Sequence, residues 1–180
     1  MNNPSVKAAL RHQLITARRA MPADVKAQAD ERIMAALLTW LDAHRPSSLG
    51  AYLAMAGEPE LMPLYQGLEA RGILLAMPVA LEKQAALVYQ RWRPGEPLAR
   101  DASGMQAPAV RTAQIAPDVV LAPCVGFNEQ GFRLGFGGGY FDRTLAVNPR
   151  PKALGIAYAS TRVSFPTDPH DIALDLIITD

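Results

Sequence analysis

A chain of 180 residues, 49% apolar and 19% charged, is long enough to bury a real core and too apolar to be disordered. Its net charge of +1 argues against a nucleic-acid-binding or membrane-surface protein, since either usually shows a basic excess. Its single cysteine, Cys124, excludes an internal disulfide, and no apolar run reaches the ~18 residues of a membrane-spanning helix.

Asn3-Pro4 reads as a helix start, with Asn at the N-cap and Pro in the first turn. Val6, Leu10, Leu14 and Ala17 then recur at helical spacing. Lys7, Arg11 and Arg18 fall on a second face, because steps of four and seven return to one side. Met21-Pro22 breaks this helix. A second begins near Ala23, turns Val25, Ala29, Ile33, Leu37, Trp40 and Leu41 inward, and ends at His44-Arg45-Pro46. The first 22 residues carry no acid, as in a mitochondrial presequence, but their periodicity favours a structural helix. No apolar segment follows the first charges, so no secretory signal is expected and the expected location is cytoplasmic.

From residue 48 the rhythm changes. Ser48 to Met55 reads as a buried strand. PELMPLYQGLEARG reads as a helix with Pro63 in its first turn, closed by Gly72. Ile73 to Val79 and Leu87 to Trp92 read as the next strands. Residues 93–117, rich in Pro and Gly, read as a long surface loop. An apolar strand is expected from Asp118 to about Val125, a helix from about Tyr140 to Val147, and final strands in ALGIAY and LDLIITD. Apolar strands alternating with helices predict an α/β fold: a three-layer sandwich whose mostly parallel sheet is flanked by helices, as a single domain over residues 1–180.

The stretch RLGFGGGYFDR, Arg133 to Arg143, falls between a strand and a helix, where open α/β sheets bind ligands. Glycines let the backbone take unusual conformations and let a ligand approach closely. Successive N–H groups, a helix N-terminus and Arg133 would together favour an anion. No Lys-Ser/Thr follows the last glycine, so this is not a Walker loop. Tyr140 stands at the third glycine position of a dinucleotide fingerprint, so it is not that either. The structural alternative is a Gly-rich turn that tightens helix-on-strand packing. Asp142 lies just inside the helix start, where it would complement the dipole or hold a divalent cation beside phosphate oxygens. Asp171 and Asp175 in PHDIALD offer a second carboxylate. Cys124, within LAPCVGF, reads as a small buried hydrophobe, and three scattered histidines with one cysteine do not suggest zinc.

FNEQGFRLGFGGGYFDRTL closely resembles the signature of the 5-formyltetrahydrofolate cyclo-ligase family, the methenyltetrahydrofolate synthetases. The order of the other motifs agrees over essentially the whole chain: the Lys7 and Arg11 pair, YLAMAGEPE with Glu58, and HDIALDLIIT. The resemblance implies an α/β sandwich that uses ATP and Mg²⁺ to convert 5-formyltetrahydrofolate to 5,10-methenyltetrahydrofolate, releasing ADP and phosphate. It places Lys7, Arg11, Arg133, Leu134, Gly135, Phe136, Gly137, Gly138 and Gly139 toward ATP. Leu53, Glu58, Phe136, Gly138 and Tyr140 fall toward the reduced formyl-folate. Tyr140 and Arg133 take the catalytic positions, and Asp142 and Asp171 those of metal ligands. The implied partners are small molecules, with no nucleic acid or membrane, and the expected state is a monomer or weak homodimer.

Two departures stand out. Phe136 occupies a position where the family commonly has arginine, and it removes a positive charge beside the expected phosphates. Glu58 is followed by Pro-Glu-Leu where the family often reads x-Asp/Asn-Thr, so Leu61 withholds a helix-capping hydroxyl. Phe136 keeps two alternatives open: a family member that binds nucleotide and a folate-like ligand with little turnover, and an ATP-dependent ligase acting on another small molecule.

Overall fold

The computed structural model describes residues 4–180, so the expected Asn3 cap lies outside the described residues. Helix α1 (Pro4–Arg19) and helix α2 (Ala23–His44) are separated at Met21-Pro22, where proline cannot continue the first helix. Arg45 closes α2 in the left-handed conformation, φ 45°, and donates its N–H to the Leu41 carbonyl.

Strand β1 (Ser48–Gly50) is shorter than its apolar sequence suggests. Tyr65 supplies the reason: its hydroxyl donates to the Tyr52 carbonyl at 3.1 Å and accepts the Tyr52 N–H at 3.3 Å. A side chain has taken the groups a neighbouring strand would need, so the apolar run continues as a wall rather than as sheet. Helix α3 (Met62–Leu68) carries Tyr65 and runs into a 3₁₀ turn, Glu69–Arg71, ended by Gly72 at φ 77°. Leu61 provides no side-chain cap, and the Glu60 carboxylate accepts the Met62 N–H instead at 2.9 Å.

Strands β2 (Leu74–Val79) and β3 (Val88–Arg91) follow. The segment expected to be a loop contains three short strands, β4 (Leu98–Arg100), β5 (Gln106–Pro108) and β6 (Gln114–Ile115). β4 and β5 form a separate hairpin around Asp101, whose carboxylate accepts the N–H groups of Ala80, Ser103 and Met105. Beyond them come β7 (Val119–Pro123), β8 (Gly126–Phe127) and β9 (Arg133–Leu134). Helix α4 (Tyr140–Leu145) stops two residues before the expected Val147. Strands β10 (Lys152–Ile156) and β11 (Leu176–Ile178) complete the chain.

The main sheet has the order β11-β10-β7-β1-β2-β3-β6. β11, β10, β7, β1 and β2 are parallel; β3 joins the β2 edge antiparallel, and β6 pairs antiparallel with β3. Successive side chains of a strand face opposite ways, and here the two faces differ in size. Leu49, Leu75, Leu121 and Leu154 meet Ile33, Leu37 and Leu41 of α2. Ala76, Val120, Ala122 and Ala153 form the thinner face, covered by Leu145 and Phe141 of α4. The expected three-layer α/β architecture is therefore present. α1 stands apart, packing Leu10, Leu14 and Ile15 on Val125, Leu134 and Phe165. That packing turns its basic face toward the loops at the carboxyl ends of the parallel strands. Among the described residues, no helix is long and apolar enough to cross a membrane.

Candidate active site

A cavity of about 640 Å³ opens at those carboxyl ends. One wall is the segment after β1, including Leu53, Met55 and Glu58; the opposite wall is the glycine stretch. The β4–β5 hairpin also contributes, a participant that a Pro/Gly-rich sequence did not announce.

Glu58 sits on a tight turn, Met55 to Glu58, closed by the Glu58 N–H on the Met55 carbonyl at 3.0 Å. Both central residues have positive φ, Ala56 at 51° and Gly57 at 76°; glycine takes this freely, whereas alanine is strained. The Glu58 carboxylate returns to accept the Met55 N–H at 3.0 Å through Oε2. The residue is only 1% exposed, and Oε1 has no hydrogen-bond partner among the described residues. Burial pushes this carboxyl from 4.5 up to about 7; the Met55 hydrogen bond and the Arg18 and Arg133 charges oppose the rise. Glu58 lines the cavity, and a buried acceptor without a partner is suited to a ligand N–H donor.

The glycine stretch is built around arginines. Arg11 Nε donates to the Gly135 carbonyl at 2.7 Å. A side chain on Gly135 would collide with the Arg133 guanidinium, and Gly137, at φ 100°, lies against Arg11. At Gly137 the positive φ favours glycine, whereas at Gly135 a side chain would displace the Arg133 guanidinium. Burial lowers the Arg11 pKa; Asp171 and Asp168 oppose that shift, while the like charge of Arg133 adds to it. Two neighbouring guanidinium groups with this mutual repulsion suit an anion. Helix α4 has only six residues, so its dipole adds less than the sequence suggests.

Arg133 is almost buried, paired with Asp142 at 3.1 Å, and stacked 4.8 Å from the Phe141 ring centre. Its Nε lacks a hydrogen-bond partner among the described residues. Asp142 also accepts the N–H of Ile172, the residue after Asp171, at 3.4 Å. Lys7 bridges Asp168 at 2.6 Å and Asp171 at 2.9 Å. Burial pulls the Lys7 ammonium down, but its two carboxylate partners outweigh this and leave its pKa raised. Asp168 is a participant the sequence reading missed, although Asp-x-x-Asp was there to be seen. Asp175 is elsewhere: it holds both Arg150 Nη atoms at 3.0 and 2.9 Å and the Ala153 N–H at 2.7 Å, and so braces β10.

Tyr140 lines the cavity, but its hydroxyl accepts the Gln84 N–H at 3.3 Å, tying the glycine stretch to the β2–β3 turn. Leu134 is buried against α1 and serves the cavity by packing. Gly138 and Gly139 lie on the wall, where Arg143 donates to the Gly138 carbonyl. Phe136 stands 45% exposed at the cavity.

Among the described residues, no group of three or more His, Cys, Asp or Glu could hold a metal unaided. Asp142 and Asp171 nonetheless line the same cavity. Two carboxylates fit Mg²⁺, which takes one or two from a protein and the rest of its ligands from phosphate and water. The Arg11–Arg133 cradle fits the phosphates themselves.

Residues 3–180 match the 5-formyltetrahydrofolate cyclo-ligase family. The chain is similar to the 5-formyltetrahydrofolate cyclo-ligase of Haemophilus influenzae, at 28% identity over 181 residues, covering 93% of this chain and 97% of that one. A shorter match, to the cyclo-ligase of Mycoplasma pneumoniae, reaches 51% identity over 65 residues, or 35% of this chain and 39% of that protein. Among solved structures, a 5,10-methenyltetrahydrofolate synthetase from Mycoplasma pneumoniae has a TM-score of 0.80 at 27% identity, over 97% of this chain and 98% of that one. The chain belongs to the 5-formyltetrahydrofolate cyclo-ligase family.

Proposed function

We propose that this family member converts 5-formyltetrahydrofolate to 5,10-methenyltetrahydrofolate in the cavity, using ATP and releasing ADP and phosphate. Family membership supports the cyclo-ligase activity. The observation that carries the finer reading is the sharing of one cavity by two unlike ends: a buried, half-satisfied Glu58 carboxyl and an arginine-lined glycine turn. The first suits the amino and ring N–H donors of a pterin. The second suits a polyphosphate.

The chemistry then needs positioning more than a nucleophilic side chain. The formyl oxygen attacks the γ-phosphorus, and the bond to ADP breaks. The phosphorylated formyl carbon is now electrophilic. N10 of the folate adds to that carbon and gives up its proton to water, and the C–O bond breaks with loss of phosphate, leaving the methenyl bridge. Arg11, Arg133 and the glycine N–H groups offset charge on the phosphates, and Glu58 fixes the pterin. Tyr140, anchored to Gln84, shapes the wall between the two ends. Asp142 and Asp171 would hold Mg²⁺, which when bound supplies charge neutralisation to the phosphates. Cys124 has no role here: it is buried, and burial pushes its thiol up to about 12.

The test is the absorbance rise of methenyltetrahydrofolate on mixing protein, 5-formyltetrahydrofolate, Mg²⁺ and ATP. Signal dependent on all components is expected. Folate binding without signal would make the protein a binder, and ATP hydrolysis only with another compound would move the substrate.

A further inference from the structure

We propose that Arg18 is a positioning residue for this reaction: from α1 it fixes the Met55–Glu58 turn and sets its positive charge against the effect of burial, so that the Glu58 carboxyl can serve as an acceptor for substrate N–H donors. This rests on the reading of Glu58 as the acceptor for the pterin.

Arg18 is the third member of the basic face of α1, and it goes inward while its neighbours serve the phosphate end. It is 3% exposed. Nε donates to the Ala56 carbonyl at 3.0 Å, and Nη1 donates to the Cys124 carbonyl at 3.2 Å. It thereby ties the turn after β1 to the chain leaving β7. Ala56 is the strained residue of that turn, so the bond falls where the backbone most needs holding. The next residue packs equally closely: a side chain on Gly57 would lie 3.4 Å from Arg18 Cγ.

Nη2 of Arg18 and Oε1 of Glu58 are both buried without a hydrogen-bond partner among the described residues. Among the described residues Arg18 makes no ion pair, whereas Arg133 is committed to Asp142. Among the described residues, ionisable groups that also feel Glu58 are Tyr52 after β1, Tyr65 on α3 and Cys124 after β7. Burial raises the pKa of all three, so they stay neutral near pH 7. Among the described residues the positive charges acting on Glu58 are those of Arg18 and Arg133, and of these two Arg18 also holds the backbone that carries Glu58.

The experiment is the affinity for 5-formyltetrahydrofolate, without ATP, as a function of pH for the wild type, Arg18→Met, Arg18→Lys and Glu58→Gln. The wild type should lose affinity as pH falls through neutrality, because a protonated Glu58 accepts poorly. Arg18→Met should move that midpoint up by about one pH unit, while ATP binding stays unchanged. Arg18→Lys keeps the charge but cannot reach both carbonyls, so its shift should be smaller and in the same direction. Should Arg18→Met be insoluble, the lysine variant carries the test. A uniform loss of affinity with the midpoint unmoved overturns the role of Arg18 and leaves that of Glu58. A wild type without a midpoint, matched by Glu58→Gln, overturns both.

Discussion

The two ends of the cavity are organised in opposite ways. At the Glu58 end the polar groups are buried and short of partners. At the glycine end they are more exposed and already cross-paired, Lys7 with Asp168 and Asp171, and Arg133 with Asp142. A buried, unsatisfied acceptor waits for a ligand in a fixed position, at a standing cost to stability. A cross-paired set is satisfied in most of its groups without a ligand, Arg133 Nε being the exception among the described residues, but must rearrange to receive one. The first arrangement favours selectivity for a donor pattern. The second favours an anion able to displace those internal pairings.

The sharpest way to break this contrast is Asp142→Asn. If the glycine end works through charge, the variant should lose about 10²-fold or more in kcat, while folate affinity remains within a few-fold. The asparagine carbonyl can still accept the Ile172 N–H, so folding should survive. Single-turnover kinetics with a parallel folate titration will check this. Equal loss of both functions in an unfolded protein would return Asp142 to a structural role.

Glu58→Gln probes the other end. It should raise folate Kd about tenfold to a hundredfold, the worth of a charge-assisted hydrogen bond, and leave ATP affinity alone. A second consequence concerns stability. Burial raises the Glu58 pKa from 4.5 to about 7, so the fold favours the protonated form. Its stabilising contribution is complete below about pH 4.5 and is lost as pH rises through about 7. The thermal midpoint of the wild type should therefore fall relative to Glu58→Gln between roughly pH 5 and 8. Parallel melting curves for the two proteins would show that Glu58 is not buried as described.

The two ends were also unequally legible in the sequence. Helices α1 and α2 and the apolar strands follow from periodicity, because a buried face imposes its own spacing. The glycine stretch declared itself through composition. The Glu58 wall did not: Ser48 to Met55 reads as one strand, and only the Tyr65 hydroxyl, contributed from α3, shows why pairing stops at Gly50. The β4–β5 hairpin was hidden by Pro and Gly, though Asp101-Ala-Ser-Gly is a turn signal whose aspartate gathers three N–H groups. Asp168 and Arg18 show a further limit. Spacing put Arg18 on the face of Lys7 and Arg11, but the three residues on this helix face reach four different segments. Which segment each meets depends on long-range packing, which a local pattern does not contain.

Phe136→Arg sharpens the contrast with the smallest expected effect. The position lies between Gly135 and Gly137 at the cavity, and it is 45% exposed. A cation there would join Arg11 and Arg133 on the polyphosphate side, so ATP affinity should rise. Exposure limits the gain, since solvent screens an interaction of this kind to about 1 kcal/mol or less, a factor of about five. The same exposure makes the gain salt-dependent, and it should fade as the Debye length shortens to about 3 Å near 1 M salt. ATP KM measured at low and high ionic strength distinguishes the possibilities. A lowered KM that returns to the wild-type value in high salt is the expected result. An unchanged KM at low salt would show that Phe136 does not face the phosphates. In that case a raised KM for folate alone would place the phenyl ring against the other substrate, moving the boundary between the two ends to this residue.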